Sequence, residues 1–186
     1  KNVSKVILSV GRYSPHKRIE KLIETFSLYL DKVDNKVQLH LVGSKASKWY
    51  QDSLYQLINE LKIKNSIIFH EHISDGDLSA LYARADVYLC MSEHEGFCVP
   101  IVEAMHNGLP IVTSNGGAIA ETLNGAGILL DVKAPLIEYV ASLDLAINDE
   151  AVHSNLIERS RKSAGTLDLD LETGLAVDWL TYNGEF

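Results

Sequence analysis

Short apolar runs alternate with helical stripes along the chain, and glycine often closes the runs. Residues Val6–Val10 form such a run, which Gly11 ends, and this pattern is typical of a buried strand. The apolar residues that follow recur at three- and four-residue steps, as on one face of a helix: Ile19, Leu22, Ile23, Phe26 and Leu30. The start of the chain therefore predicts a strand followed by a helix.

The same alternation continues as far as Leu130. Further strands are predicted at Val37–Val42, from Ile67, and at Val87–Met91, Gly108–Val112 and Gly127–Leu130. Helices are predicted between them at Trp49–Lys62, Leu78–Ala85, Pro100–His106 and Ala118–Leu123. The chain from Pro135 is predicted to be mainly helical, with a loop at Gly165–Leu171 before a last helix at Glu172–Leu180.

Strands that alternate with helices predict a parallel sheet that is covered on both faces. About six such units are present, so we expect an α/β domain of the doubly wound, Rossmann-like kind. In sheets of this kind, ligands bind beyond the carboxyl ends of the strands. Residues that follow the predicted strands are therefore the candidates for a functional site.

Composition and charge narrow the class of protein. The chain has 186 residues, is 46% hydrophobic and has a formal net charge of -8, which fits one globular domain rather than a nucleic-acid binder. No run approaches the roughly 18 to 20 apolar residues that span a bilayer. With no signal-peptide pattern, a cytoplasmic location is expected. The first residue is Lys rather than Met, which indicates a piece of a longer protein.

Two cysteines, Cys90 and Cys98, are the only ones in the sequence. In a cytoplasmic protein both are expected to be reduced, and we predict that they are half-buried. A zinc site normally needs closer cysteine spacing and more ligands, so no metal site is predicted from this pair.

The first candidate motif is Val10–Arg18, V-G-R-Y-S-P-H-K-R. Gly11 ends a strand, and Arg12 and Lys17 lie in the loop before the next helix. A helix N-terminus with a nearby arginine and lysine suits phosphate. A solvated basic loop explains the same residues, and the motif is not the G-x-G-x-x-G pattern of dinucleotide-binding proteins.

The second motif is Ser92–Ala104, S-E-H-E-G-F-C-V-P-I-V-E-A. Glu95 precedes a predicted helix and Glu103 lies inside it, while Gly96 permits close approach of a ligand to the backbone. Carboxylates accept hydrogen bonds from the adjacent hydroxyls of a sugar. The alternative is a pair of acids that the helix dipole stabilises.

The third motif is Asn115–Glu121, N-G-G-A-I-A-E. Gly116 and Gly117 expose backbone amides at a predicted helix start, which suits an anion. A tight turn between a strand and a helix is the alternative interpretation.

Taken together, V-G-R…K, E-G-F-x-x-P-x-x-E-A and G-G…E resemble the C-terminal half of a GT-B retaining glycosyltransferase of the family-four type. The resemblance covers roughly Lys5–Asp131, and the two glutamates with seven residues between them are its most specific part. It implies a donor-binding domain at residues 1–165 and a helical tail at 166–186. The N-terminal acceptor-binding domain of that family would be absent from this chain.

The resemblance also implies roles for single residues. Arg12 and Lys17 match the pair that contacts the diphosphate, beside Gly11, and would neutralise charge on the leaving nucleoside diphosphate as a metal does elsewhere. Glu95 matches the acid near the donor sugar, so Glu95, Arg12 and Lys17 are the expected catalytic residues. Glu103 matches the acid that holds the ribose hydroxyls.

Backbone groups are expected to complete the donor site. Gly96, Phe97 and Cys98 would lie along the sugar and the phosphate, Gly116 and Gly117 would offer amides, and the loop that begins at His72 would meet the base. Two residues depart from the family pattern, which usually has glycine at the positions of Arg18 and Cys98.

The expected activity is transfer of a hexosyl group from a UDP or GDP sugar to a glycan or a lipid-linked acceptor in polysaccharide biosynthesis. No cofactor and no metal are expected. The fragment alone is expected to be inactive, and contact with the inner face of a membrane would come only through the missing part. The alternatives are a phosphorylase or nucleotide-sugar epimerase relative, and a noncatalytic interaction module that keeps the fold.

Some further patterns resemble metal-binding motifs, but no metal-binding role is predicted for them. Asp75-Gly76-Asp77 spells D-x-D, yet Ser74–Asp77 is predicted to form a turn and a helix cap. Asp168-Leu169-Asp170 is a second D-x-D, which alternation with leucine assigns to a half-exposed segment. The histidines at 70, 72, 94 and 106 lack the spacing of helical ligand pairs.

Overall fold

One parallel sheet organises the chain, whose structure is a computed structural model that describes residues 5–44 and 47–172. Its six strands lie in the order β3-β2-β1-β4-β5-β6. Their bounds are β1 Val6–Val10, β2 Gln38–Val42, β3 Ile67–His70, β4 Val87–Cys90, β5 Ile111–Ser114 and β6 Ile128–Leu130. The order reverses between β1 and β4, where Leu8 of β1 faces His40 on one side and Tyr88 on the other. The predicted doubly wound α/β fold is confirmed.

Helices connect consecutive strands and extend the chain beyond the sheet. They are α1 Ile19–Lys32, α2 Lys48–Glu60, α3 Asp75–Arg84, α4 Val99–His106, α5 Ile119–Leu123, α6 Leu136–Asn148 and α7 Glu150–Glu172. Short 3₁₀ turns occur at Pro15–Lys17 and Lys64–Ser66. Serines begin two of the helices, since Ser47 Oγ accepts from the Tyr50 amide and Ser74 Oγ accepts from the Asp77 amide.

The core lies on both faces of the sheet, because successive strand residues point to opposite sides. Ile7, Leu39 and Leu89 face one layer, which contains α1, α2 and α6. Leu8 and Tyr88 face the other layer, which contains α3, α4 and α5. The long helix α7 contributes Leu156 to the first layer and Ala164 to the second.

The predicted loop at Gly165–Leu171 is wrong, because α7 continues through this segment to Glu172. Gly165 and the aspartate-leucine alternation suggested a break, but the helix is already anchored by buried residues in its earlier turns, including Ser160 and Ala164. The predicted last helix at Glu172–Leu180 lies outside the described residues, apart from Glu172.

The other differences are shifts of element ends. The fifth strand was expected at Gly108–Val112 and lies at Ile111–Ser114. Its last two residues are polar but fully buried, and the Ser114 hydroxyl donates to the Ser92 carbonyl at 2.6 Å. This hydrogen bond permits a strand to end in side chains that an apolar pattern does not include.

Among the described residues, no helix is both long enough and apolar enough to cross a membrane.

Candidate functional site

The loops after β1 and β4 meet at the carboxyl edge of the sheet. Lys17 ends the 3₁₀ turn after β1, and Glu95 lies in the loop between β4 and α4. Their side chains form an ion pair, with Lys17 Nζ 2.6 Å from Glu95 Oε1 and side-chain exposures of 16% and 10%. Among the described residues the buried Oε1 has no hydrogen-bond partner besides this contact. Two candidates that lie far apart in the sequence therefore meet directly.

The charge state of this pair follows from its surroundings. Burial alone lowers the pKa of Lys17, but the hydrogen bond and the negative charge of Glu95 outweigh burial. The pKa of Lys17 is therefore raised above its ordinary value of 10.5, and the lysine is a cation at neutral pH.

Backbone contacts fix the Glu95 loop in place. The Glu93 amide donates to the His16 carbonyl at 2.8 Å, and the Ala118 amide donates to the Glu95 carbonyl at 2.9 Å. Glu95 also forms an isolated bridge with Gly117. The loops after β1, β4 and β5 are thereby held against one another, so the site is ordered before any ligand arrives.

Gly116 and Gly117 have a packing role in this arrangement. A Cβ at Gly116 would overlap the Ser92 carbonyl oxygen, and one at Gly117 would overlap the Glu95 carbonyl oxygen. Gly117 also has a φ of 64°, which side chains rarely tolerate. The helix that follows, α5, has only five residues. The two glycines therefore bring the third motif into close contact with the second.

Two residues at positions where the resembling family usually has glycine adopt left-handed backbone. Arg18 has a φ of 51° and Cys98 a φ of 55°. The Arg18 guanidinium donates to the Val132 carbonyl at 2.7 Å, which ties the first loop to the segment after β6. Sequence reasoning noted both departures but did not identify their common backbone conformation.

The two thiols lie beside Glu95. Cys90 ends β4, and Cys98 is the N-cap residue of α4. Each is 6% exposed, so the prediction of half-buried cysteines is wrong. Both are free, as expected. Hydrogen bonds from Cys98 and Ser92 lower the pKa of Cys90. The interaction with Cys90, together with burial, raises the pKa of Cys98.

Glu103 lies apart from this cluster, on α4, and faces a groove between α3 and α4. Its Oε2 accepts a hydrogen bond of 2.7 Å from the Tyr82 hydroxyl. Burial, and then the charge of Glu103, raise the pKa of Tyr82, so the tyrosine remains a donor. The groove has a volume of about 410 Å³ and is lined by Asp75, Leu78, Ser79, Tyr82, Val102, Glu103, His106 and Asn107.

The remaining predicted residues lie at the same edge of the sheet as the Lys17–Glu95 pair. Arg12 and His72 are exposed in the loops after β1 and β3, and Gly96 is exposed beside Glu95. Phe97 is half-buried, and Gly11 lies against Lys17, since an added Cβ would be 3.5 Å from its Nζ. Parallel strands bring these loops to one edge, which the sequence pattern predicts.

The expected helix cap at Asp75-Gly76-Asp77 is confirmed. Ser74 is the capping residue, and its hydroxyl also donates to Asp77 Oδ2 at 2.7 Å. Among the described residues, the cluster that combines three metal-ligating groups is Cys90, Glu95 and Cys98. Sequence reasoning missed this cluster and the contact from Tyr82 to Glu103, because both join residues on different elements.

Comparison with known proteins shows which proteins the chain is similar to. The family described as "Glycosyl transferases group 1" matches residues 1–163. Over 124 residues the chain is 32% identical to O-antigen chain mannosyltransferase B of Escherichia coli. The match covers 67% of this chain and 32% of that protein, so the chain spans about a third of that relative's length.

Solved structures share the fold. The C-terminal domain of a glycosyl transferase group 1 family protein from Francisella tularensis matches with a TM-score of 0.75 at 23% identity. That match covers 87% of this chain and 85% of the other. An Anabaena protein in complex with UDP-glucose matches with a TM-score of 0.80 at 22% identity, over 94% of this chain and 49% of the other. The architecture is thus that of one half of a GT-B protein.

Proposed function

The chain belongs to the glycosyl transferases group 1 family, and on this premise we propose that it is the donor-binding half of a retaining, metal-independent hexosyltransferase. The donor is a nucleoside diphosphate sugar, and the acceptor is a glycan or a lipid-linked sugar. The acceptor-binding residues belong to a second, N-terminal domain, so this chain alone binds donor and does not turn it over. Residues 1–165 form the donor domain and residues 166–186 form a tail, of which residues 166–172 belong to α7.

The Lys17–Glu95 ion pair supports this proposal most directly. It lies at the carboxyl edge of β1 and β4, where the strand order reverses and where ligands of such sheets bind. A buried ion pair contributes little to stability, because removing both charges from water costs most of what their attraction provides. A pair kept at this position is better explained by a ligand that uses both charges.

A nucleoside diphosphate sugar has groups that suit each charge. Lys17 and the exposed Arg12 offer cations for the two phosphates, and arginine can bind a phosphate with two parallel hydrogen bonds. As the bond from the sugar to the phosphate breaks, negative charge grows on the leaving diphosphate, and these two cations stabilise it. This assigns to side chains the charge neutralisation that a divalent metal supplies in other transferases.

The carboxylates take the hydroxyl groups. Glu95 lies beside Lys17 and therefore near the phosphate-linked sugar. Glu103 accepts the ribose hydroxyls with one oxygen while Tyr82 holds the other. The exposed loop at His72 then faces the base. Related proteins named for mannosyl transfer or solved with UDP-glucose make mannose and glucose the first donors to examine.

Calorimetric titration of the chain with UDP, GDP, ADP and their sugar adducts tests the proposal. We expect nucleotides of one base to bind, with an affinity that EDTA does not lower. This affinity should fall at least tenfold in Arg12→Ala and in Glu103→Ala. Matched controls are Arg84→Ala and Glu60→Ala. Both residues are exposed at helix ends that lead into β4 and β3, at the opposite edge of the sheet.

Failure of every nucleotide to bind at millimolar concentration, in this chain and in a chain extended by the N-terminal half, would contradict the proposal. It would favour the alternative of a noncatalytic interaction module. Equal losses in the two control variants would also contradict it, because the effect would then not be specific to the carboxyl edge.

A further inference from the structure

Cys90, Cys98 and Glu95 bring two thiols and a carboxylate to one point beside Lys17. Their ligand atoms lie within 4.8 Å of one another. A tetrahedral zinc ion, with bonds of about 2.0 to 2.3 Å, separates its ligand atoms by about 3.5 to 3.8 Å. Closing this cluster around an ion needs movements of about 1 Å or less. We propose that these three residues bind Zn²⁺, and that the bound ion competes with the sugar nucleotide.

Both thiols are already in place before any ion binds. Cys90 and Cys98 are each 6% exposed, and the loop between them is fixed at Ser92, whose carbonyl accepts from Ser114, and at Glu95, whose carbonyl accepts from the Ala118 amide. Ligands that the fold already holds in place lose little conformational entropy when an ion binds. The sequence spacing of the cysteines did not suggest a metal because the third ligand, Glu95, is supplied by the folded loop.

The charges around the cluster sum to zero once an ion is bound. Two thiolates and one carboxylate contribute three negative charges, while Zn²⁺ and the Lys17 ammonium contribute three positive charges. Lys17 Nζ is 2.6 Å from Glu95 Oε1, and a carboxylate has a second oxygen that can face the ion. A neutral cluster is the arrangement that a buried site favours. Lys17 therefore complements this metal site instead of blocking it.

The backbone at Cys98 supplies a separate argument. Its φ of 55° and ψ of 64° are left-handed, a conformation that glycine adopts without steric cost and that a side chain opposes. A cysteine that is held in this conformation at a site, where glycine would fit more easily, points to a use for its thiol.

The competition with donor rests on the proposed function. An ion bound to Glu95 and Cys98 occupies the place beside Lys17 that the phosphate-linked sugar would take. Three protein ligands leave one position of a tetrahedral zinc open for water. Zinc bound here would make the chain a poorer binder of nucleotide, and removal of zinc would restore binding.

The test uses the full chain, reduced with a phosphine and freed of metal by a chelator. Zinc is titrated against a chromophoric chelator, and cobalt is titrated in parallel, because thiolate-bound Co²⁺ shows near-ultraviolet charge-transfer absorption. We expect one ion per chain and a thiolate–cobalt band. Loss of a ligand in Cys98→Gly or Cys90→Ser should weaken zinc binding at least about 10- to 100-fold. Mutation of residues that only hydrogen-bond to metal ligands already has an effect of this size.

Glycine suits the left-handed backbone at position 98, but Cys98→Gly also removes a buried side chain. Circular dichroism and thermal melting therefore check first that Cys98→Gly and Cys90→Ser are folded. Asp75→Asn tests the exposed D-x-D acids and should leave zinc affinity unchanged. Zinc affinity that is the same in the parent, Cys98→Gly and Cys90→Ser would overturn the proposal. So would the absence of a thiolate–cobalt band.

The two proposals fail in different ways. If the metal-free chain binds nucleotide but never zinc, only the metal site is wrong. If zinc binds through the cysteines while no nucleotide binds to the metal-free chain or to an extended one, the metal site stands and the donor function is wrong.

Discussion

Two lysine–carboxylate pairs lie at opposite ends of the same two strands. Lys5 and Asp86 precede β1 and β4, with Nζ 2.9 Å from Oδ1 and side-chain exposures of 44% and 23%. Lys17 and Glu95 follow the same strands, with 2.6 Å between their atoms and exposures of 16% and 10%. The pairs share chemistry and strands, so their differences come from which edge of the sheet they occupy.

The exposed pair has a structural task. Asp86 Oδ2 also accepts the Val6 amide at 2.8 Å, so this carboxylate ties the start of β1 to the start of β4. The buried pair has no described backbone bond of that kind at Oε1. An exposed ion pair contributes between zero and about 1 kcal/mol, and a buried pair often contributes no more than an apolar replacement. Stability alone therefore does not explain why the charges at the carboxyl edge are the buried ones.

The largest difference should appear when one partner of each pair is removed. Lys17→Met leaves Glu95 buried without its cation, and breaking a buried pair costs about 3 to 5 kcal/mol. Because both side chains retain some exposure, we expect a loss of about 2 to 4 kcal/mol of unfolding free energy. Lys5→Met should cost less than about 1 kcal/mol. Urea unfolding of both variants measures the difference.

The matched double variant sharpens this result. Lys17→Met/Glu95→Gln removes both charges and should recover most of the stability that Lys17→Met loses, because no unpaired charge remains buried. Equal losses for Lys17→Met and Lys5→Met, or no recovery in the double variant, would show that the two pairs do not differ as their burial indicates.

Removing the two pairs should also change the affinity for nucleotide differently, by a free energy that is somewhat smaller than the difference in stability. Hydrogen bonds to charged groups contribute about 1.5 to 3 kcal/mol, so the stability-restored double variant should bind nucleotide about 10- to 100-fold more weakly. Lys5→Met should bind within about twofold of the parent chain, since charges beyond a Debye length of about 8 Å are screened at physiological salt. Calorimetry measures both, and equal affinities in all three chains would contradict the assignment of Lys17 to the phosphates.

The sequence predicts the strands better than it predicts the contacts between the loops that follow them. Apolar runs located all six strands, because a strand covered on both faces is mostly apolar. The same argument placed Lys17 and Glu95 at one edge, since both follow strands of a parallel sheet. Their contact was not predicted, because it depends on β1 and β4 being neighbours in the sheet, and an alternating pattern does not specify strand order.

Other features could be identified only from the three-dimensional structure. The left-handed backbone of Cys98 depends on how the loop enters α4, and the bond from Tyr82 to Glu103 depends on how α3 packs against α4. The predicted break near Gly165 was wrong because burial of earlier turns of α7 outweighs a local preference. In each case packing between distant segments decided the outcome.

The smallest expected effect is a pH dependence of the unfolding free energy that comes from the buried pair. The pKa of Lys17 is raised because the hydrogen bond and charge of Glu95 outweigh burial, which alone would lower it. The folded chain therefore holds this proton more tightly than the unfolded chain. The resulting stabilisation is complete below the ordinary pKa of 10.5 and is lost as pH rises through the folded value.

The difference in unfolding free energy between the parent chain and Lys17→Met/Glu95→Gln isolates this effect, because buried tyrosines that also resist ionisation are common to both chains. We expect this difference to be constant across neutral pH. The parent chain should lose stability relative to the double variant only when the pH exceeds an ordinary lysine pKa. A shift that began near neutral pH would mean that Lys17 loses its proton too readily to serve as a fixed phosphate-binding cation. The ion pair would then be a consequence of packing, like the pair at the opposite edge.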